Sequence, residues 1–151
     1  MLRLPPRVEH SIRDARPGDA RALAALLGQL GYPTTAEAVL RRVERLQTSE
    51  ADRVVVAESK GDIVGFASLH VSLSVEYDRP AAKLTAIVVD ERHRRRGLGK
   101  ALAAELETEA RRRGCCLIYL TTAERREDAH AFYRRIGFGE TGKRFAKWLA
   151  S

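Results

Sequence analysis

The chain has 151 residues, 44% hydrophobic and 31% charged, a balance that argues against disorder and suits one globular domain with a proper core. Its net charge is +7, and Arg92, Arg94, Arg95 and Arg96 supply most of it. So local an excess fits a focused anion site better than a basic coat for nucleic acid, and aromatic residues do not interleave with the cluster.

Cys115 and Cys116 are adjacent. Neighbours on a strand point to opposite faces, which argues against a disulfide between them. No cysteine or histidine spacing suggests a metal, and the chain reads as a reduced, cytosolic protein. The opening MLRLPPRVEH lacks the apolar core of a signal peptide, and no run approaches membrane-spanning length. Residues 1–10 are expected to form a loose arm and residues 11–151 a single domain.

In chain order, Ser11 to Ala15 reads as a first strand, and Arg16-Pro17-Gly18-Asp19 as a turn with Asp19 a helix cap. Leu23, Leu26, Leu27 and Leu30 form the stripe of an amphipathic helix that Gly31 and Pro33 end. Thr34 and Glu37 have capping-box spacing for a second helix marked by Val39, Val43 and Leu46. Val54, Val55 and Val56 mark a buried strand, Lys60-Gly61-Asp62 a hairpin turn, and Ile63 to Val75 a long alternating third strand. Its polar face carries His70, which either borders a substrate or is an ordinary exposed residue. Ala82 to Val89 is the fourth strand.

Next comes Arg92 to Leu102, RHRRRGLGKAL, the stretch on which the reading turns. Glycine permits close backbone approach to a ligand, and a helix start leaves N–H groups without internal partners. A strand, an Arg/Gly turn and a helix start together describe an anion site, best suited to phosphates. The bland alternative is a solvated basic loop. Leu98, Leu102, Leu106 and Ala110 stripe the helix that follows, and Gly114 stops it. Cys115 to Leu120 is expected as the fifth strand, then a helix within Glu124 to Ile136 with Ala129, Phe132, Tyr133 and Ile136 on one face. A last strand is expected from Phe138 through Phe145 to Trp148. The order is β-α-α-β-β-β-α-β-α-β: an α/β fold whose mixed sheet is mostly antiparallel with one parallel pair, flanked by helices.

Two segments give the chain a family resemblance. LTAIVVDERHRRRGLGKAL, Leu84 to Leu102, resembles the cofactor segment of the GNAT superfamily of acetyl-CoA-dependent N-acetyltransferases. That family's signature, Gln/Arg-x-x-Gly-x-Gly/Ala, falls on Arg94-Arg95-Arg96-Gly97-Leu98-Gly99. AHAFYRRIGF, Ala129 to Phe138, is similar to the family's later Phe-Tyr…Gly-Phe helix. The resemblance implies a GNAT-like fold and acetyl-CoA as co-substrate, with no metal. It implies that the peptide groups of Ile87, Val88 and Val89 pair with the pantetheine arm. The N–H groups of Arg94, Arg95, Arg96, Gly97, Leu98, Gly99 and Lys100 would hold the pyrophosphate, arginine side chains adding charge-assisted contacts. Ala129 and Phe132 are assigned to the cofactor as well. Tyr133 matches the tyrosine that protonates the departing thiolate, and a fourth-strand N–H would polarise the carbonyl. Many members carry Asn after the fifth strand; here Thr121-Thr122 stands, and Thr122 is the substitute.

The expected activity is acetyl transfer to a primary amine of a small molecule or protein, by direct attack in a ternary complex. No nucleic acid or membrane is expected as partner, and a homodimer is compatible with the family. The base that deprotonates the amine is not evident: Glu76, His70 and water are the candidates, with Asp90 shaping the turn. The alternatives are a non-catalytic acyl-CoA-binding regulatory module and a nucleic-acid binder using the arginine cluster.

Overall fold

In the computed structural model, residues 10–122 and 127–150 are described. The elements are β1 (Ser11–Asp14), α1 (Ala20–Leu30), α2 (Ala36–Gln47), β2 (Asp52–Ser59), β3 (Asp62–Ser72), β4 (Ala81–Val89), α3 (Leu98–Arg112), β5 (Leu117–Tyr119) and α4 (Glu127–Arg135). The strands form one sheet in the order β1-β2-β3-β4-β5, antiparallel throughout except for the parallel β4/β5 pair. Strand alternation sends one set of apolar residues to each face. On one face Val55, Ala57, Val64, Ala67, Leu69, Ala82 and Leu84 pack under Leu98, Leu102, Leu106 and Ala110 of α3. On the other, Val56, Phe66 and Val88 pack under Leu23 and Leu26 of α1 and Val39 and Val43 of α2. Each buried leucine removes enough apolar surface from water to contribute roughly 1.5–3 kcal/mol.

Local chemistry accounts for the joints. The β2–β3 hairpin turns at Lys60 and Gly61, both left-handed at φ 50° and 84°, the backbone sense that matches strand twist. Gly31 closes α1 at φ 100°. Asp19 does not cap α1 with its side chain. Its carboxylate instead accepts from the Arg16 N–H and pairs with Arg13 at 2.8 Å. The cap of α2 is Thr35, one residue beyond the expected Thr34, because its Oγ1 reaches the Ala38 N–H at 3.1 Å. β3 ends at Ser72, not Val75; Ser72 pairs with Ala81, the first residue of β4, so Leu73 and Val75 have no facing strand and are exposed.

The fifth strand is shorter than Cys115 to Leu120. The Cys115 N–H still bonds back to Ala110 of α3, and Cys116 N–H to Pro80. The expected last strand is not formed: residues 139–150 have no regular structure, and Phe145 and Trp148 are almost fully exposed. Phe145, Trp148 and Leu149 do not alternate, and Lys143, Arg144 and Lys147 interrupt them, so no face is apolar enough to extend the sheet. Residues 1–9 of the expected arm and Ala123 and Glu124 of the segment after the fifth strand lie outside the described residues.

Candidate active site

The site begins where two parallel strands part. β4 pairs with β5 only from Ala81 to Lys83. From Leu84 to Val89 its edge away from β3 has no strand partner among the described residues. A bulge accompanies the parting: the β3 register passes from Ser68↔Ala86 to Leu69↔Leu84, leaving Thr85 unmatched. Ser68 Oγ and Thr85 Oγ1 lie 2.5 Å apart beside it. A bulge bends its strand, and a bare strand edge presents N–H and C=O groups to an extended ligand. Ile87 and Val89 turn their peptide groups to this edge and Val88 turns its own to Phe66 of β3, while the side chains of all three serve the two cores.

The turn after β4 is anchored before any glycine appears. Asp90 is buried, and its carboxylate accepts from the Arg92 N–H at 3.0 Å; that bond, with the Arg92 guanidinium behind it, outweighs burial and holds Asp90 below the ordinary carboxylate range. Gln29, at the end of α1, accepts from the Glu91 N–H at 3.0 Å. Arg94 donates through Nε to the Val89 carbonyl at 3.1 Å, so this guanidinium braces the loop as well as lending charge. Arg95 (φ 64°) and Gly97 (φ 80°) are then both left-handed. Gly97 is the N-cap of α3 and brings no side-chain cap. The first-turn N–H groups of Leu98, Gly99 and Lys100 therefore point out of the helix without intrahelical partners, carrying its positive end. Leu98 itself sends its side chain into the core. Arg95, Arg96 and Lys100 are exposed.

The second motif docks on the first. A Cβ on Gly99 would sit 3.1 Å from Cζ of Phe132. The absence of that atom lets α4 lay Phe132 on the first turn of α3. Tyr133 is half-buried beside Phe132, ring centroids 5.5 Å apart, and meets the edge of Phe138 at 6.1 Å. Phe138 N–H returns to the Tyr133 carbonyl at 2.9 Å, which ties the Gly-Phe end of the motif to the tyrosine. Ala129 is half-buried on the same helix, and Thr122 is half-buried just past β5.

Three features escaped the sequence reading: the Thr85 bulge, the Arg94 brace, and a pair between His70 Nδ1 and Asp52 Oδ1 at 2.9 Å. Their partners lie on different strands or depend on loop conformation, so no local spacing announces them. A cavity of about 580 Å³ lies elsewhere, lined by Arg53, Glu105, Glu109, Arg112 and Arg113 among others. Its charges are spent on each other. Glu109 pairs with Arg112 at 2.6 Å and Arg113 at 2.8 Å, and Arg53 reaches Asp14 and Glu105. The Arg112 bond, helped by Arg113 and opposed by burial, holds the Glu109 carboxyl down at about 2.

The bare edge of β4 runs into the left-handed Arg/Gly turn and the uncapped start of α3, on which Phe132, the neighbour of Tyr133, is seated. Residues 21–138 match the model of the acetyltransferase (GNAT) family, and the chain belongs to that family. It is 35% identical over 94 residues to the aminoalkylphosphonate N-acetyltransferase of Salmonella typhimurium, a match that covers 62% of this chain and 61% of that protein. It is 31% identical over 137 residues to the aminoglycoside N(6')-acetyltransferase type 1 of Stenotrophomonas maltophilia, covering 87% of each chain. Among solved structures, the aminoglycoside N-acetyltransferase AAC(6')-Iy in complex with CoA superposes with a TM-score of 0.83 at 22% identity, covering 98% of this chain and 100% of that one. That likeness shows the shared fold. Among the described residues no helix is long and apolar enough to cross a membrane.

Proposed function

We propose that this protein transfers the acetyl group of acetyl-CoA to a primary amine. The observation that carries the reading is the bare edge of β4 running straight into the left-handed turn at the start of α3. Ile87 and the Val89 N–H offer main-chain groups to the extended pantetheine, while Val88 turns its own to Phe66 of β3 and the Val89 carbonyl accepts from Arg94; the N–H groups from Arg94 to Lys100 receive the pyrophosphate at the positive helix end. A main-chain N–H of β4 near the bulge would polarise the thioester carbonyl as the amine adds. Tyr133 donates its phenolic proton to the sulfur as the C–S bond breaks; a phenol of pKa about 10 is suited to a thiolate. Ala129 and Phe132 line the same helix face, and Thr122 supplies the hydroxyl where many family members have an asparagine amide.

Aminoalkylphosphonates and aminoglycosides, the acceptors in the names of two relatives, head the panel of amines to test. Calorimetric titration with acetyl-CoA followed by thiol-release assays on that panel tests the reading. Failure to bind acetyl-CoA at millimolar concentration sinks it. Binding without turnover on any amine leaves the non-catalytic module. A homodimer belongs to the same reading, because Phe145, Trp148 and Leu149 stand exposed on one chain. Sedimentation is expected to show a dimer that Trp148→Asp weakens; a wild-type monomer at 100-micromolar-scale loading contradicts it.

A further inference from the structure

Where β4 and β5 part, the sheet carries a row of polar residues across four strands. The register sets Asp52 opposite His70, His70 opposite Lys83, and Lys83 opposite Tyr119. His70, Lys83 and Tyr119 lie on the α1/α2 face, since their immediate neighbours Leu69, Ala82, Leu84 and Ile118 point to the α3 side; Asp52, at the start of β2, reaches His70 from the end of the strand and also borders the cavity beside Arg113. The helices stop short of them: α1 and α2 cover Val54, Val56, Phe66, Ala86 and Val88, one row further in. Lys83 and Tyr119 are also the last pair before the fork. The row therefore borders the fork between β4 and β5, on the face from which an acceptor would reach a thioester lying between the strands.

His70 is held there in a defined orientation by Asp52. Burial raises the Asp52 carboxyl, but bonds from Ser49 (Oγ to Oδ2, 2.6 Å) and His70 outweigh it and keep Asp52 ionised, well below the ordinary carboxylate range. An ionised carboxylate only accepts, so the proton between Oδ1 and Nδ1 belongs to the imidazole. Whenever the ring is neutral, Nε2 is therefore the nitrogen with the lone pair, and the side chain is 43% exposed towards the uncovered face. A carboxylate behind an imidazole fixes its tautomer and offsets the charge it gains on protonation.

We propose that His70, positioned by Asp52, takes the proton from the acceptor amine. The assignment rests on the acetyltransferase reading. His70 Nε2 takes the proton that turns the ammonium into a neutral amine; the C–N bond forms, the second N–H proton leaves the nitrogen of the tetrahedral adduct for solvent, and as the C–S bond breaks Tyr133 gives one proton to sulfur. Both residues re-equilibrate with solvent, so an ammonium acceptor yields the amide, free CoA thiol and one released proton. The charged and titratable groups facing His70 are Asp52 from β2, Lys83 from β4 and Tyr119 from β5, with Arg113, at the end of α3, acting on Asp52.

The test is the pH profile of kcat/KM for wild type, His70→Gln and Asp52→Asn, with acetyl-CoA affinity measured by calorimetry in each. With an alkylamine acceptor, His70→Gln is expected to lose about 100-fold or more in kcat/KM together with the acidic limb of the profile. Asp52→Asn is expected to lose less and to move the limb. With a hydrazide, already neutral at the assay pH, the His70→Gln deficit should shrink to less than about tenfold, since no proton need leave before attack. Acetyl-CoA affinity should stay within about twofold throughout, well under 1 kcal/mol. A His70→Gln enzyme that keeps the wild-type limb with an alkylamine, or that loses equally on both acceptors, overturns the assignment while leaving the transferase reading intact. A wild type that binds acetyl-CoA yet acetylates no amine overturns both.

Discussion

At Gly97 the backbone is left-handed, and a Cβ there would meet open space. A side chain at this position therefore costs conformational strain, about 1–2 kcal/mol, without a clash. Gly97→Val is expected to lower acetyl-CoA affinity more than tenfold in calorimetry, because the turn must relax away from left-handed, while the far-UV circular dichroism stays native. Tyr133 is the opposite case: its ring packs in place, and its hydroxyl is the proposed proton donor. Tyr133→Phe keeps the contacts to Phe132 and Phe138, so acetyl-CoA affinity should be unchanged while kcat falls about 10²-fold or more. Full turnover of Tyr133→Phe at every pH removes the general-acid role. Arg94 stands between these two. Its positive charge was legible, but its bond to the Val89 carbonyl makes it a brace that a count of charges does not reveal.

At the scale of elements, the site depends on how α4 meets α3. Gly99 has φ and space that suit many residues except for one neighbour, the Phe132 ring at 3.1 Å. Gly99→Ala should therefore fold, displace Phe132 by a few tenths of an ångström and carry Tyr133 with it. The expected result is a fall in kcat with a smaller change in acetyl-CoA affinity, read from steady-state kinetics beside calorimetry. A larger loss in affinity than in kcat would show that Gly99 matters for phosphate approach alone. Sequence motifs named both helices, and the periodicity of Leu98, Leu102 and Leu106 placed α3 correctly. Their docking was not legible, because nothing local to either segment states that Phe132 lands on Gly99. The β3 and C-terminal strand lengths misled for a related reason: strand patterns continue wherever apolar and polar residues alternate, but strands end where partners end.

For the whole molecule, the charge network at the far end of α3 holds the sheet and helix together away from the Arg/Gly turn. Glu109 is depressed from 4.5 to about 2, so its contribution to stability is complete above about pH 4.5 and is lost as pH falls towards 2. Urea unfolding across that window should show the gap between wild type and Glu109→Gln closing as the acid protonates, with no comparable change between pH 6 and 8. A gap that stays constant down to pH 2 would mean that the carboxylate is not held by its arginines. The sequence by itself determined the order of elements as far as α4, the two core stripes and the anion turn, because these rest on periodicity and on residues adjacent in the chain. Only the tertiary structure decided where β4 leaves β5, that Phe132 beside Tyr133 lands on Gly99 of α3, and that Asp52 pairs with His70 in the row that ends at the fork. Those are pairings between residues far apart in sequence, and strand register, not local preference, brings them together.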